Sequence, residues 1–170
     1  MSIDSTHPTI RLFITGGTFD KEYDEINGRL YFKDTHLPDM LRTARSRVPL
    51  EIRTLMMVDS LQMTDQDRES IARSCRAVAE DRIVITHGTD TMAETAVLLA
   101  REVPGKTIVL TGAMIPIAFG SSDGLFNLGS ALTAAQLLPA GAWVAMNGRI
   151  FEGHAVRKNR NTGVFETPGE

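Results

Sequence analysis

Ile83-Val84-Ile85-Thr86 runs into His87-Gly88-Thr89-Asp90 and then into Thr91-Met92-Ala93-Glu94-Thr95-Ala96. The opening residues form a short, mostly β-branched apolar run, the pattern of a strand buried on both faces. Thr91 and Glu94 have the spacing of a capping box. Met92, Ala96, Leu99 and Val103 then recur at helical spacing and predict one apolar stripe. A strand that passes through a polar, glycine-containing loop into such a helix is the repeating unit of a parallel α/β sheet.

The same alternation extends outward in both directions. Ile10 to Ile14, Ile52 to Val58, Ile108 to Leu110 and Trp143 to Met146 read as further buried strands. Thr64 is placed to cap a helix running to about Asp81, with Asp67 at its third position and Ile71, Cys75 and Val78 on one face. Leu128, Ala131, Leu132 and Ala135 suggest another helix ending before Pro139, and Pro104-Gly105 and Pro139-Ala140-Gly141 are breaks. The expected architecture is three-layered: a mostly parallel sheet with helices on both faces. Residues 1–170 are the size of a single domain. The tail from about Gly148 is poorer in apolar residues and carries Arg149, Arg157, Lys158 and Arg160; by composition alone it reads as a solvated surface segment.

Charge and composition narrow the function. A formal net charge of -3 with 42% hydrophobic residues argues against a basic nucleic-acid footprint and against a disordered chain. The lone cysteine, Cys75, reads as a buried core thiol and cannot form an internal disulfide. Met1 to Thr6 has neither the basic nor the apolar part of a leader, and no segment has the roughly 18 apolar residues of a membrane span. A cytoplasmic enzyme acting on a small molecule is expected, with no nucleic-acid or membrane partner.

Ligands of an open parallel sheet bind beyond the carboxyl ends of its strands. The residues at those places are Thr15-Gly16-Gly17-Thr18, Asp59-Ser60, Thr86-His87-Gly88-Thr89-Asp90 and Thr111-Gly112-Ala113-Met114. Gly16-Gly17 lacks the third glycine of a dinucleotide fingerprint, and no phosphate-loop lysine motif occurs. His7, His36, His87 and His154 lack zinc-site spacing, so neither metal nor organic cofactor is expected. His87 beside the site reads as a packed, hydrogen-bonded histidine. Thr18 and Thr89 each follow a glycine, which lets a hydroxyl and backbone N–H groups approach a ligand. A threonine hydroxyl attacks only if something takes its proton. Asp90 could do so through an intervening amine, and Tyr23 offers a phenol five positions beyond Thr18.

These blocks resemble the signature motifs of bacterial L-asparaginases: Ile14 to Thr18, Ile83 to Ala96 and Thr111-Gly112-Ala113-Met114-Ile115-Pro116. Ser122-Asp123-Gly124-Leu125-Phe126-Asn127-Leu128 and Met146-Asn147-Gly148 extend the resemblance in the same order, so it covers about Ile10 to Lys158. It implies the fold of the N-terminal asparaginase domain and hydrolysis of L-asparagine to L-aspartate and ammonia by threonine acyl transfer. Thr18 would be one catalytic threonine, with Tyr23 its partner on a mobile lid. Thr89, Asp90 and Lys158 would form a second constellation, the lysine matched through Phe151 to Lys158. Gly17, Asp59, Ser60, Gly88 and Ala113 would line the substrate. Which threonine attacks first stays open, as do an amidase for glutamine or another small primary amide and a non-catalytic asparagine or aspartate sensor.

Two departures stand out. Leu61 follows Ser60 where the family usually has glutamine. Common members also carry a C-terminal domain that lends an acidic residue to a neighbouring subunit's site, and this chain resembles the short-chain members made of the first domain alone. A homo-oligomer, dimer or tetramer, is expected.

Overall fold

The computed structural model describes residues 7–170, so the expectation about a leader at Met1 to Thr6 lies outside the described residues. Strands β1 (Ile10–Gly16), β4 (Leu50–Val58), β5 (Arg82–Thr86), β6 (Thr107–Thr111), β7 (Gly141–Met146) and β8 (Arg149–Glu152) make one sheet in the order β4-β1-β5-β6-β7-β8. All its neighbours are parallel except β7 and β8, which pair antiparallel through the Asn147-Gly148 turn. Helices α1 (Leu37–Thr43), α2 (Asp65–Ala77), α3 (Met92–Glu102) and α4 (Gly124–Leu137) complete the α/β architecture. Two further hairpins stand apart from the sheet: β2 (Lys21–Asp24) with β3 (Arg29–Phe32), and β9 (Arg157–Lys158) with β10 (Phe165–Glu166).

The side chains of the central strands divide between two cores. Phe13, Ile83, Ile85, Ile108 and Leu110 point to one face, where Ile71 and Cys75 of α2 and Met92, Ala96 and Leu99 of α3 cover them. Leu12, Ile14, Val84 and Val109 point to the other, beneath Leu37, Met40 and the Leu128, Ala131 and Ala135 stripe of α4. That division is the period-2 alternation of strands meeting helices on both faces. Among the described residues no helix is long and apolar enough to cross a membrane.

Four sequence expectations need correction. β4 is an edge strand rather than a fully buried one: it pairs only with β1, leaving Glu51 to Thr54 exposed. α2 has the expected Thr64–Asp67 capping box but stops at Ala77, and Val78 is extended. There Lys106 Nζ takes the carbonyls of Val78 and Glu80, and Glu80 pairs with Arg11, which draws the chain into β5 instead of another helical turn. The box expected at Thr91 and Glu94 does not form. The Thr91 hydroxyl instead donates to Ser60 O, and Glu94 is held by Arg68.

The fourth correction concerns the tail. Phe151, Val156 and Phe165 are buried in the same core as α2 and α3, so it is not merely a solvated segment. Asn147, at φ 56, accepts from Phe165 N through its side chain, and Asn127 Oδ1 accepts from Asn147 N. The Phe165–Lys158 register of the β9–β10 hairpin therefore hangs on a buried aromatic ring and an asparagine relay. Phe165→Ala should lower the unfolding free energy by about 3–5 kcal/mol, as large aromatic-to-alanine changes in a core do. Denaturant unfolding checks this, and a loss under about 1 kcal/mol, the usual range for surface positions, would return the tail to the surface.

Candidate active site

Two glycines bring the strand-end loops together. Gly17, at φ 80, sits where a Cβ would run into the backbone of Gly88, and a Cβ on Gly88 would run into Ser60 Oγ. Only residues without a side chain allow three loops to meet this closely. Gly17 N donates to Val58 O at 3.1 Å and Thr15 Oγ1 to Thr86 O at 2.8 Å, tying the first loop to β4 and β5. The Thr18 hydroxyl is thereby held half-buried at the start of a one-turn 3-10 helix, Thr18–Asp20.

The second centre is assembled across the sheet. Lys158 Nζ donates to Thr89 Oγ1 at 2.8 Å and to Asp90 Oδ1 at 2.9 Å. The lysine side chain is only 12% exposed and Asp90 30%, so the contact is better shielded than an ordinary surface pair. Thr89 itself is buried. An ammonium that donates to a hydroxyl oxygen favours negative charge developing on that oxygen and leaves the hydroxyl proton free to be passed on.

His87 is buried and satisfied at both ring nitrogens. Its Nδ1 lies 2.7 Å from Gly88 O, which can only accept, so Nδ1 carries the proton and Nε2 accepts from Thr95 Oγ1 at 2.8 Å. Burial pushes its pKa down to about 4, with the Gly88 carbonyl opposing and Arg68 adding to the shift. This is the packed histidine expected from the sequence.

The remaining residues divide by what their side chains can reach. Ser60 is buried beside Gly88, whereas Asp59 is paired with Lys21 and also accepts from Leu61 N at 3.0 Å. Burial, the largest influence on the Asp59 carboxyl, raises its pKa, but the Lys21 and Leu61 bonds outweigh it and leave the group below the usual value. The Ala113 side chain is buried in the α4-side core, so only its backbone can face a ligand. Tyr23 lies 52% exposed on β2, and neither its hydroxyl nor that of Thr18 is hydrogen-bonded to the Lys158 centre. The arrangement thus unites Thr89, Asp90 and Lys158 by hydrogen bonds, while Thr18 and Tyr23 make none with them.

The sequence reading missed several supports. Asp123 accepts from Met114 N and Ile115 N at 3.0 Å, and Asn127 Nδ2 donates to Gly112 O and Asp123 Oδ2, both at 3.0 Å. These bonds hold the loop after β6. Their signal was present as polar residues in an otherwise apolar helical stretch. An apolar groove of about 620 Å³ lies away from these residues, along α4 and β8.

Comparison with known proteins bears on this geometry. The family model described as asparaginase, N-terminal, matches residues 9–168. The chain is 33% identical to L-asparaginase 1 of Escherichia coli (strain K12), over 94% of this chain and 51% of that protein. The thermostable L-asparaginase from Thermococcus kodakarensis superposes with a TM-score of 0.81 at 32% identity, over 94% of this chain and 51% of that one. For L-asparaginase I from Vibrio cholerae the TM-score is 0.85 at 29% identity, with 97% and 52% covered. The chain spans about half the length of the relatives it matches.

His87 also sets a pH dependence of stability. The unfolded histidine takes up a proton near pH 6.5 and the folded one only near 4. The stabilisation is therefore complete above about 6.5 and is lost as pH falls through 4, to an extent on the order of 3 kcal/mol. Thermal unfolding should show this slope, and His87→Gln should remove it. An unchanged slope in that variant would assign the protons to another group.

Proposed function

The chain belongs to the asparaginase family, and from that premise we propose that it hydrolyses L-asparagine to L-aspartate and ammonia. The observation that carries the reading is the Lys158 contact with both Thr89 Oγ1 and Asp90 Oδ1, made across sequence separations of 69 and 68 residues. In the proposed reaction, the Thr18 hydroxyl attacks the side-chain amide carbon while its proton passes to water, directly or through the Tyr23 hydroxyl, which accepts it and gives up its own. Backbone N–H groups of the Gly88–Thr89 loop and the start of α3 face the oxyanion. The C–N bond breaks, the nitrogen leaves as ammonia after taking a proton, and an ester on the threonine remains. Thr89 then holds a water whose proton is drawn toward Asp90 through Lys158, and hydrolysis of the ester frees aspartate.

Gly17, Ser60, Gly88 and Ala113 would hold the substrate, Gly17, Gly88 and Ala113 through backbone groups and Ser60 through its hydroxyl; Asp59 would border the same corner. No cofactor enters this chemistry, which the reading places in the cytoplasm. A homo-oligomer goes with the reading. Leu125, Phe126, Leu137 and Ile150 expose an apolar groove suited to cover by a second copy. The mass in solution should be that of a dimer or tetramer, and a monomer that turns over would refute the assembly.

The decisive measurement is ammonia release from asparagine by the purified chain, with glutamine and small primary amides alongside. Thr18→Ala and Thr89→Val should each lower turnover at least about 100-fold without changing thermal unfolding. Lys158→Met should do likewise, whereas Arg157→Met and Arg160→Met should not. Equal behaviour of those three substitutions would remove Lys158 from the mechanism. Binding of asparagine without ammonia release would favour a sensor.

A further inference from the structure

The β2–β3 hairpin is a two-stranded ribbon, which is marginal in water without outside support. Its register pairs Lys21 with Phe32, Glu22 with Tyr31, Tyr23 with Leu30 and Asp24 with Arg29. Side chains alternate between its faces, so Lys21, Tyr23, Leu30 and Phe32 share one face. The contacts agree. Lys21 Nζ lies 5.9 Å from the centre of the Phe32 ring, whereas Tyr31 bonds to Glu22 and Arg29 pairs with Asp24 on the other side.

The roots of the ribbon are held by charged groups. Asp20, fully buried just before β2, accepts from His36 N at 2.8 Å and from Thr35 Oγ1 at 3.1 Å, joining the segments that enter and leave the hairpin. Lys21 pairs with Asp59, next to Ser60 at the end of β4. The lysine and aspartate side chains are 16% and 28% exposed, well sheltered from solvent.

We infer that Lys21 is a positioning residue for Tyr23: its ion pair with Asp59 turns the Tyr23-bearing face of the hairpin toward the crevice beside Ser60. This rests on the asparaginase reading for its consequence in turnover, but not for the mechanical link itself. With the pair broken, the ribbon keeps its cross-strand bonds and its Asp20 clasp, yet its face is no longer tied to the sheet. Tyr23 then samples positions away from Thr18.

Hydrogen exchange and asparagine kinetics on the full chain test the inference together. Lys21→Met should speed exchange of the amides between residues 21 and 32 while the β5 and β6 amides stay as protected as before. Asp59→Asn should produce the same local change, and Lys21→Arg should largely restore protection. Misplacing Tyr23 should cost roughly ten- to a hundred-fold in kcat/KM in Lys21→Met. Adding Tyr23→Phe to Lys21→Met should lower kcat/KM no further than Tyr23→Phe alone, because both changes remove the same contribution. Arg29→Met, on the opposite face, should leave turnover unchanged. Unaltered exchange in Lys21→Met overturns the link, and altered exchange with wild-type kinetics overturns the positioning role. A wild-type chain that releases no ammonia overturns the asparaginase reading instead, and the exchange result still judges the link.

Discussion

The site depends on the approach of backbones that carry no side chains. Gly17 packs against Gly88, and Gly88 against Ser60, so loops from β1, β5 and β4 meet where any Cβ would force them apart. That contact is possible because the three strands are neighbours in the order β4-β1-β5 and all run the same way, delivering their carboxyl ends to one edge. Alanine at Gly17 would face both a positive φ and a collision with backbone, which cannot rotate aside as a side chain can. The hydroxyls of Thr18 and Thr89 owe their places to this constraint before any interaction of their own.

Polar satisfaction then divides the groups around the crevice into fixed and available ones. His87 uses both nitrogens within the core, Asp123 holds the loop after β6, and Asn127 divides its bonds between that loop and Asn147. Buried polar groups are costly unless paired, so these residues stiffen the floor and have little left for a ligand. Thr89, Asp90 and Lys158 are also bonded to one another, but Lys158 and Asp90 retain contact with solvent. That leaves the network open to exchange with water.

The strand-loop-helix units were legible because burial on both faces writes itself as short apolar runs and helical stripes. Ile83 to Thr86 and Met92 to Val103 show it plainly. The hairpins were not legible. Lys21 to Phe32 has little buried apolar surface and is held by charges from distant segments, and Phe165 is a lone aromatic whose burial depends on Asn147 eighteen positions earlier. The failed capping box at Thr91 has the same origin. Its hydroxyl found Ser60 O and Glu94 found Arg68, partners that local spacing cannot reveal. Motif resemblance, rather than periodicity, brought Lys158 to notice.

The two hairpins outside the main sheet are supported by different physics. β9–β10 is anchored by the buried Phe165 ring and by Asn147. Hydrophobic anchoring of this kind is short-ranged and costly to undo, so Lys158 is delivered to Thr89 and Asp90 as a fixed part of the fold. β2–β3 instead exposes Ile26, Leu30 and Tyr31 and is held at its roots by Asp20 and Lys21. Its strands bury little apolar surface, and a two-stranded ribbon is marginal by itself, so this hairpin belongs to the low-stability end of the molecule. The Lys158 centre therefore rests on a hairpin pinned by apolar burial, whereas the Tyr23-bearing hairpin is held at its roots by polar contacts.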